Sequence, residues 1–201
     1  MKKPIYIFCL FIPQFINGQS SPAVSYAKGL ADCQRIVEVN QLMHPGKFIY
    51  TGPDCLIGAT VPEFSTTTME GKEISNEYFK GKITVLNFWM ISCPPCIAEI
   101  PGLNNVVDKF GSDKVNYLAI GTDDEKDIKA FLVKHPWKFT QLAPGMKTVR
   151  ELFKVHWGFP TTFIINEDAV IVAAFSGGKT DETAVKEIED KLTGIITKEL
   201  K

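Results

Sequence analysis

The chain has 201 residues, of which 45% are hydrophobic and 22% are charged, and its formal net charge is −1. A disordered chain would hold fewer large apolar side chains and more net charge, so these values describe one ordinary soluble domain, or one domain with an appendage. Because 22 basic residues are balanced by 23 acidic residues, general electrostatic binding of nucleic acid is disfavoured. We therefore expect no nucleic-acid partner.

The N-terminus has the three parts of a secretory signal. Lys2 and Lys3 form a basic start, an apolar run follows over residues 5–16, and small polar residues begin at Asn17. The run is shorter than the roughly 20 apolar residues that a membrane-spanning helix needs. We predict a signal peptide over residues 1–18 and export to the periplasm or cell envelope, with an uncleaved membrane anchor as the alternative.

Residues 19–57 differ in pattern from the rest and are predicted to form an N-terminal extension. A β-branched run at 36–39 and a β-prone run at 47–51 flank a Pro–Gly pair, which is typical of a β-hairpin. Cys33 and Cys55 would then face each other across the base of the hairpin. We predict a structural disulfide between them, worth about 3 kcal/mol on the chain-entropy estimate. Two unpaired buried thiols are the alternative.

Residues 58–201 have the pattern of one α/β domain. Nearly continuous apolar runs indicate strands that are covered on both faces, and apolar residues at helical spacing follow them. The alternation of strands and helices indicates a β-sheet with helices on both faces. The predicted strands cover 63–68, 73–74, 83–90, 115–120, 161–165 and 170–175, and the predicted helices cover 94–110, 125–134, 148–155 and 180–192.

The motif Cys93-Pro94-Pro95-Cys96 lies where a predicted buried strand ends and a helix begins. Unpaired backbone N–H groups and the helix dipole stabilise a thiolate at that position. Proline is tolerated in the first helical turn because the N–H groups there have no helical partner. We therefore predict that Cys93 is the attacking nucleophile and that Cys96 is the resolving thiol that releases the product.

Two structural alternatives apply to this cysteine pair. A zinc site would need two further ligands, but neither Cys33 nor Cys55 belongs to a second C-x-x-C motif, and the three histidines do not have ligand spacing. We therefore expect no bound metal. A purely structural disulfide between residues three positions apart is the other alternative, and it is disfavoured because such rings are small and reducible.

The segment 88–101, Phe-Trp-Met-Ile-Ser-Cys-Pro-Pro-Cys-Ile-Ala-Glu-Ile-Pro, resembles the active-site segment of thioredoxin-like proteins. The similarity is closest to the TlpA/ResA-type disulfide reductases of bacterial envelopes, and 158–163 resembles their cis-proline loop. The resemblance implies a thioredoxin-like fold with a central mixed β-sheet over 58–201. It also implies redox chemistry without a cofactor beyond the Cys93–Cys96 disulfide, protein thiols and disulfides as substrates, and a membrane or envelope electron donor.

The resemblance also assigns roles to individual residues. Pro160 corresponds to the cis-proline, whose neighbours leave backbone groups free to pair with a substrate chain. Glu99 corresponds to an acidic residue that raises thiol pKa values and exchanges protons with Cys96; a solvated first-turn glutamate is the alternative. Asn87 departs from classical thioredoxins, which have a buried aspartate there. The predicted substrate-binding residues are Trp89, Phe159, Pro160 and Thr161. Trp89 is also expected to pack against the disulfide.

Three functions compete on this basis. The first is an exported thiol–disulfide oxidoreductase that reduces partner disulfides, with apocytochrome c as one candidate substrate. The second is a peroxiredoxin-like peroxidase, but that chemistry wants a hydroxyl side chain three positions before the attacking cysteine, where this chain has Met90. The third is a non-catalytic binding module of the envelope. The C-x-x-C placement favours the first.

Overall fold

The computed structural model describes residues 22–142 and 145–201. The predicted signal peptide over 1–18 lies outside the described residues. Within the two described ranges, no helix is long and apolar enough to cross a membrane.

A five-stranded mixed sheet forms the centre of the molecule. Its strands are β3 (Ile83–Trp89), β4 (Val115–Gly121), β5 (Thr140–Leu142), β6 (Thr161–Ile165) and β7 (Ile171–Ser176), and their order is β5-β4-β3-β6-β7. β3, β4 and β5 run parallel, whereas β6 is antiparallel to both β3 and β7. A separate hairpin joins β1 (Ser65–Thr67) to β2 (Glu73–Ser75). The predicted central mixed sheet is confirmed.

Helices cover both faces of this sheet. They are α1 (Tyr26–Met43), α2 (Pro94–Phe110), α3 (Glu125–Lys134), the short α4 (Gly145–Lys147), which continues as a π-helical turn over Thr148–Leu152, and α5 (Ala184–Glu199). Residues of α2, α3 and α5 share one core cluster with Val85 and Trp89, whereas α1 and Phe153 share the other with Leu86 and Phe88. Alternate residues of β3 therefore supply two cores, as expected of a strand that is buried on both sides.

The predicted hairpin within residues 19–57 is wrong, because this part of the chain forms the helix α1. Ser25 caps the helix by accepting a hydrogen bond from the Lys28 N–H, and Tyr26, Gly29 and Cys33 form its buried face. Those residues have the spacing of one helical face, and their burial outweighs the β-propensity of the run at 36–39. The segment 47–51 has no regular secondary structure.

Two contacts fix the position of α1. Cys33, in the middle of α1, forms a disulfide with Cys55, which lies in a 3-10 turn over Pro53–Leu56. The Tyr26 hydroxyl donates a hydrogen bond of 2.6 Å to the Phe153 carbonyl oxygen. The predicted bridge is therefore present in the structure, although it joins a helix to a turn and not two strands.

We predict that replacing both Cys33 and Cys55 by serine destabilises the protein. The bond closes a loop between cysteines that are 22 positions apart, so its loss should lower the free energy of unfolding by about 3 kcal/mol. For a domain of this size, that loss corresponds to a Tm roughly 6–12 °C lower. Thermal melting followed by circular dichroism measures the shift, and an alanine pair at the same positions should melt like the serine pair. Identical melting of the wild type and both variants would contradict the prediction.

Candidate active site

The Cys93–Cys96 disulfide lies at the junction between β3 and α2. Cys93 is the N-cap residue of α2, and its Sγ accepts a hydrogen bond of 3.2 Å from the Cys96 N–H. Pro94 and Pro95 occupy the first turn, where their missing N–H groups leave no helical hydrogen bond unmade. The Cys93 sulfur is therefore the atom placed to carry negative charge, since it meets a backbone donor and the positive end of the helix dipole.

The two sulfur-bearing residues differ in access from solvent. Cys93 is 6% exposed and Cys96 is 2% exposed, while the neighbouring Ser92 and Pro94 are exposed. An incoming disulfide would therefore meet Cys93 first, and Cys96 lies behind it. This order is the one that a nucleophile and a resolving cysteine require.

Trp89 lies beneath the cysteines and does not reach the surface. Its side chain has no exposed area, its indole N–H donates to Gln141 Oε1, and its ring packs between Phe131 and Trp137. The predicted contact with substrate is therefore wrong, because a wholly buried indole offers no area to a partner. Trp89 shares a packed cluster with Cys93 and Cys96, and its expected position against the disulfide stays a prediction.

The loop before β6 carries the cis peptide bond between Phe159 and Pro160. Phe159 is half-buried, packs against both core clusters, and lies 5.6 Å from the Arg150 guanidinium carbon. Within the described part of the chain, neither the N–H nor the C=O of Phe159 makes a hydrogen bond. The carbonyl oxygen of Pro160, in contrast, accepts from the Gly177 N–H at 2.8 Å. The free backbone groups of this loop therefore belong to Phe159.

Thr161 is the first residue of β6, and the substrate-binding prediction for it is wrong. Thr161 is fully buried, and its backbone lies between Phe88 of β3 and Ser176 of β7. Its hydroxyl donates to the Gly158 carbonyl oxygen at 2.7 Å. Thr161 therefore holds the cis-proline loop in place from inside the sheet.

Glu99 is the only acidic side chain buried within residues 22–142 and 145–201. It lies one helical turn after Cys96 on α2, so the two side chains share a face of the helix. Glu99 is 5% exposed, and its Oε2 has no hydrogen-bond partner among the described residues. Burial raises the pKa of this carboxyl to about 8, while Lys191 lowers the pKa and Glu187 raises it. The solvated-glutamate alternative is therefore excluded.

Asn87, on β3, supplies an amide and no carboxyl to this region. Asn87 stands on the same face of β3 as Trp89, is 1% exposed, and donates from Nδ2 to Thr162 Oγ1 at 2.9 Å. An amide at this position cannot take up a proton at neutral pH. Of these two buried side chains, Glu99 is the one that can take up and release a proton.

Asp123 is a site residue that the sequence reasoning missed. Its carboxylate oxygen Oδ2 accepts a hydrogen bond of 2.8 Å from the Ile91 N–H, which lies two residues before Cys93. The next residue, Asp124, is the N-cap residue of α3. The signal available in the sequence is the position of Asp123 just beyond the carboxyl end of β4, the parallel neighbour of β3.

This arrangement defines a thioredoxin-like redox site. A disulfide at a helix N-terminus, a cis-proline loop and a buried carboxyl one turn along the helix come together at one end of a mixed sheet. The described ranges hold no group of three side chains that could bind a metal ion. The reactive group that the residues supply is the cysteine pair.

Comparison with known proteins places the chain in a family. The model of the AhpC/TSA family matches residues 57–174, more than half of the chain, and the chain belongs to this family. The thiol-disulfide oxidoreductase ResA of Bacillus thuringiensis is 31% identical over 128 residues, which are 63% of this chain and 73% of that protein. The chain is thus a thiol–disulfide oxidoreductase of the ResA type.

Solved structures agree with this fold. A secreted disulfide oxidoreductase of Mycobacterium tuberculosis, homologous to DsbE of E. coli, superposes with a TM-score of 0.55 at 25% identity, covering 66% of this chain and 96% of that one. A thiol:disulfide interchange protein of the thioredoxin family from Chlorobium tepidum gives a TM-score of 0.57 at 22% identity, covering 71% and 96%. The second similarity shows the fold alone.

We predict that Glu99→Gln stabilises the oxidised protein increasingly as pH rises. The folded pKa of about 8 lies above the unfolded value of 4.5, so the unfolded chain binds fewer protons between these values and wild-type stability falls across that window. Glutamine does not titrate, so the variant should be more stable than the wild type by about 3 kcal/mol at pH 8 and by much less at pH 5.

Thermal melting at pH 5 and pH 8 measures this difference. Glu182→Gln, at an exposed position before α5, is the matched control and should melt like the wild type at both pH values. If the Tm difference between Glu99→Gln and the wild type were the same at pH 5 and pH 8, the prediction would be contradicted. Glu99 would then ionise in the folded protein as it does in the unfolded chain.

Proposed function

We propose that this protein is an exported reductase of protein disulfides that works through the Cys93–Cys96 dithiol. The observation that carries the proposal is the N-cap position of Cys93, whose Sγ accepts the Cys96 N–H at 3.2 Å and has the greater exposure of the two. A thiolate is stabilised there, and it faces the side from which a substrate arrives. In this proposal Cys93, Cys96 and Glu99 are the catalytic residues.

In the first step, the Cys93 thiolate attacks one sulfur of the substrate disulfide. A bond forms between Cys93 and that sulfur, and the other substrate sulfur leaves as a thiolate that takes up a proton. One substrate sulfur is then a thiol, and the other is bonded to Cys93 in a mixed disulfide. The first-turn prolines supply no positive charge near Cys93, so the thiolate is stabilised moderately, as suits a reductant.

In the second step, Cys96 resolves the mixed disulfide. Its sulfur attacks Cys93 Sγ, the Cys93–Cys96 bond forms, and the second substrate sulfur leaves as a thiol. Cys96 must lose its proton for this attack, and Glu99 lies one turn away with a pKa of about 8. A carboxyl whose pKa is close to ambient pH can accept that proton and return it to solvent. Two electrons have then passed to the substrate, and an envelope dithiol donor restores the pair.

The cis-proline loop supplies the docking site for the substrate chain. Phe159 offers a backbone N–H and C=O that no described residue uses, beside an aromatic ring that is partly exposed. An extended peptide could pair with these two groups as an added strand pairs with a sheet edge. Such main-chain recognition accepts many sequences, which suits an enzyme that reduces different proteins.

Export is supported by the predicted signal over 1–18 and by the second disulfide. Cys33–Cys55 closes a long loop, and bonds of this kind persist in oxidising compartments outside the cytoplasm. The related disulfide oxidoreductase of M. tuberculosis is described as secreted. We propose a periplasmic or envelope location, a membrane-bound or envelope electron donor, and apocytochrome c as a candidate substrate.

The peroxidase alternative finds less support at the same site. Met90 occupies the position where a peroxidase needs a hydroxyl group, and its side chain is half-buried against the cluster that contains both cysteines. A thioether donates no hydrogen bond to a bound peroxide. A rate of peroxide consumption with a thiol donor above that of the Cys93→Ser variant would favour the peroxidase.

Trapping tests the assignment of the two cysteines. We expect Cys96→Ser to accumulate mixed disulfides with envelope proteins, because the resolving sulfur is gone while Cys93 still attacks. Cys93→Ser is the matched control and should accumulate none on non-reducing gels. Equal trapping by the two variants would show that the nucleophile is assigned wrongly.

The direction of electron flow is tested separately. We expect the wild type to reduce insulin disulfides with dithiothreitol as donor, and the double variant Cys93→Ser/Cys96→Ser to fall to the background rate. The reduction potential of the pair, measured against glutathione, should lie below about −200 mV, in the range of reducing pairs. A potential near about −120 mV, typical of strong oxidants, would contradict a reductase.

A further inference from the structure

The Glu99 carboxyl borders a small cavity between α2, α5 and the β7–α5 loop. This Glu99 cavity has a volume of about 20 Å³ and is lined by Glu99, Phe175, Gly178, Glu187, Ile188 and Lys191, among others. A space of that size holds no more than about one water molecule. The loop over Gly177–Thr180 and the side chains of α5 therefore shield most of the carboxyl from bulk solvent, and Glu99 keeps 5% exposure.

Gly178 forms the wall against which the carboxyl rests. A Cβ atom built on Gly178 would lie 2.3 Å from Glu99 Oε1 and 3.0 Å from its Cδ, far inside van der Waals contact. The same Cβ would lie 3.4 Å from Pro95 Cβ, so the loop also runs close to the C-x-x-C turn. Only glycine leaves room for the Glu99 side chain in its present position.

Two lysines face this cavity, and they are placed differently. Lys179 Nζ pairs with Glu187 Oε2 at 2.8 Å, so each of these charges offsets the other. Lys191 Nζ lies 3.6 Å from the centre of the Phe175 ring, and no carboxylate of the described residues lies within 4.0 Å of it. Among the groups facing Glu99, Lys191 lowers the pKa of the carboxyl and Glu187 raises it.

We propose that Gly178 and Lys191 are positioning residues for proton transfer at Glu99. Gly178 admits the carboxyl to its buried position, and Lys191 places a positive charge at the same cavity. The inference rests on the proposed role of Glu99. In the resolving step, the proton leaves the Cys96 sulfur and forms an O–H bond on Glu99. Gly178 and Lys191 act through Glu99 and touch neither sulfur nor substrate.

Substitutions of Lys191 and Gly178 should shift the pKa of Glu99 in opposite directions. Lys191→Gln removes the charge and should raise the pKa of Glu99 by a few tenths of a unit to about one unit, while Lys191→Arg should keep the wild-type value. Gly178→Ala must displace the carboxyl or the loop, and either movement hydrates Glu99 and lowers its pKa. Lys186→Gln, on the exposed side of α5 and paired with Asp190, is the matched control and should leave the pKa unchanged.

The measurement is a pH titration of the Glu99 carboxyl by ¹³C NMR on the whole mature protein, with the signal assigned from its loss in Glu99→Gln. An unchanged titration in Lys191→Gln would overturn the role of Lys191, and an unchanged or raised pKa in a folded Gly178→Ala would overturn the role of Gly178. If Gly178→Ala does not fold, the double variant Gly178→Ala/Glu99→Ala, which lacks the clashing carboxyl, should fold, and its failure to fold would overturn the role of Gly178.

The titration needs no substrate, so it separates this inference from the proposed function. Shifted titrations without insulin reduction would refute the reductase and leave the cavity assignment standing. Normal insulin reduction with unshifted titrations would refute the assignment of Gly178 and Lys191 alone. A second readout, the pH midpoint of Cys93 alkylation in the reduced protein, should move downward in Lys191→Gln, because a Glu99 that stays neutral to higher pH does not repel the thiolate, and should stay in place in Lys186→Gln.

Discussion

The hydrogen bond from the Cys96 N–H to Cys93 Sγ is the interaction on which the site depends. It exists because α2 begins directly after β3, and β3 is fixed by burial on both faces between β4 and β6. The first N–H groups of any helix lack partners within that helix, so a side chain at the N-cap position receives them. Here the receiving atom is a sulfur, which gives the sheet a chemical role: it holds the helix start where the thiolate is needed.

The same helix brings a second unusual group into the core one turn later. A buried carboxyl without a full set of hydrogen bonds reduces stability, and Glu99 keeps one oxygen unpartnered among the described residues. The protein tolerates this cost because the carboxyl stays neutral over most of the physiological pH range, as its pKa of about 8 shows. A neutral carboxyl beside the cysteines does not repel a thiolate, and it still exchanges protons at a pH near neutrality. Stability and proton transfer therefore make opposite demands on this residue.

Most of the features that could be predicted are marked by short patterns of neighbouring residues. The C-x-x-C motif, the strand before it and the helix after it are adjacent in the chain, and the loop at Pro160 has its own short motif. α1 could not be read so directly, because the run at 36–39 favours a strand by propensity, while its helical form depends on packing against Phe153, far along the chain. The contacts of Gly178 with Glu99 and the full burial of Trp89 and Thr161 are likewise tertiary, and no local pattern records them.

The two disulfides must differ in how readily they are reduced in the same compartment. Their positions relative to the helices explain this difference. Reduction of either bond releases a thiolate, and the rate rises with the stability of that leaving group. A donor thiolate attacks the more exposed Cys93, so the leaving sulfur is that of Cys96, which lies in the first turn of α2 near the positive end of the helix dipole. Cys33 lies in the middle of α1, where every neighbouring N–H is already paired within the helix, and it is 5% exposed. A thiolate at Cys33 gains nothing from its surroundings, so exchange favours the catalytic pair while the bridge to α1 stays oxidised.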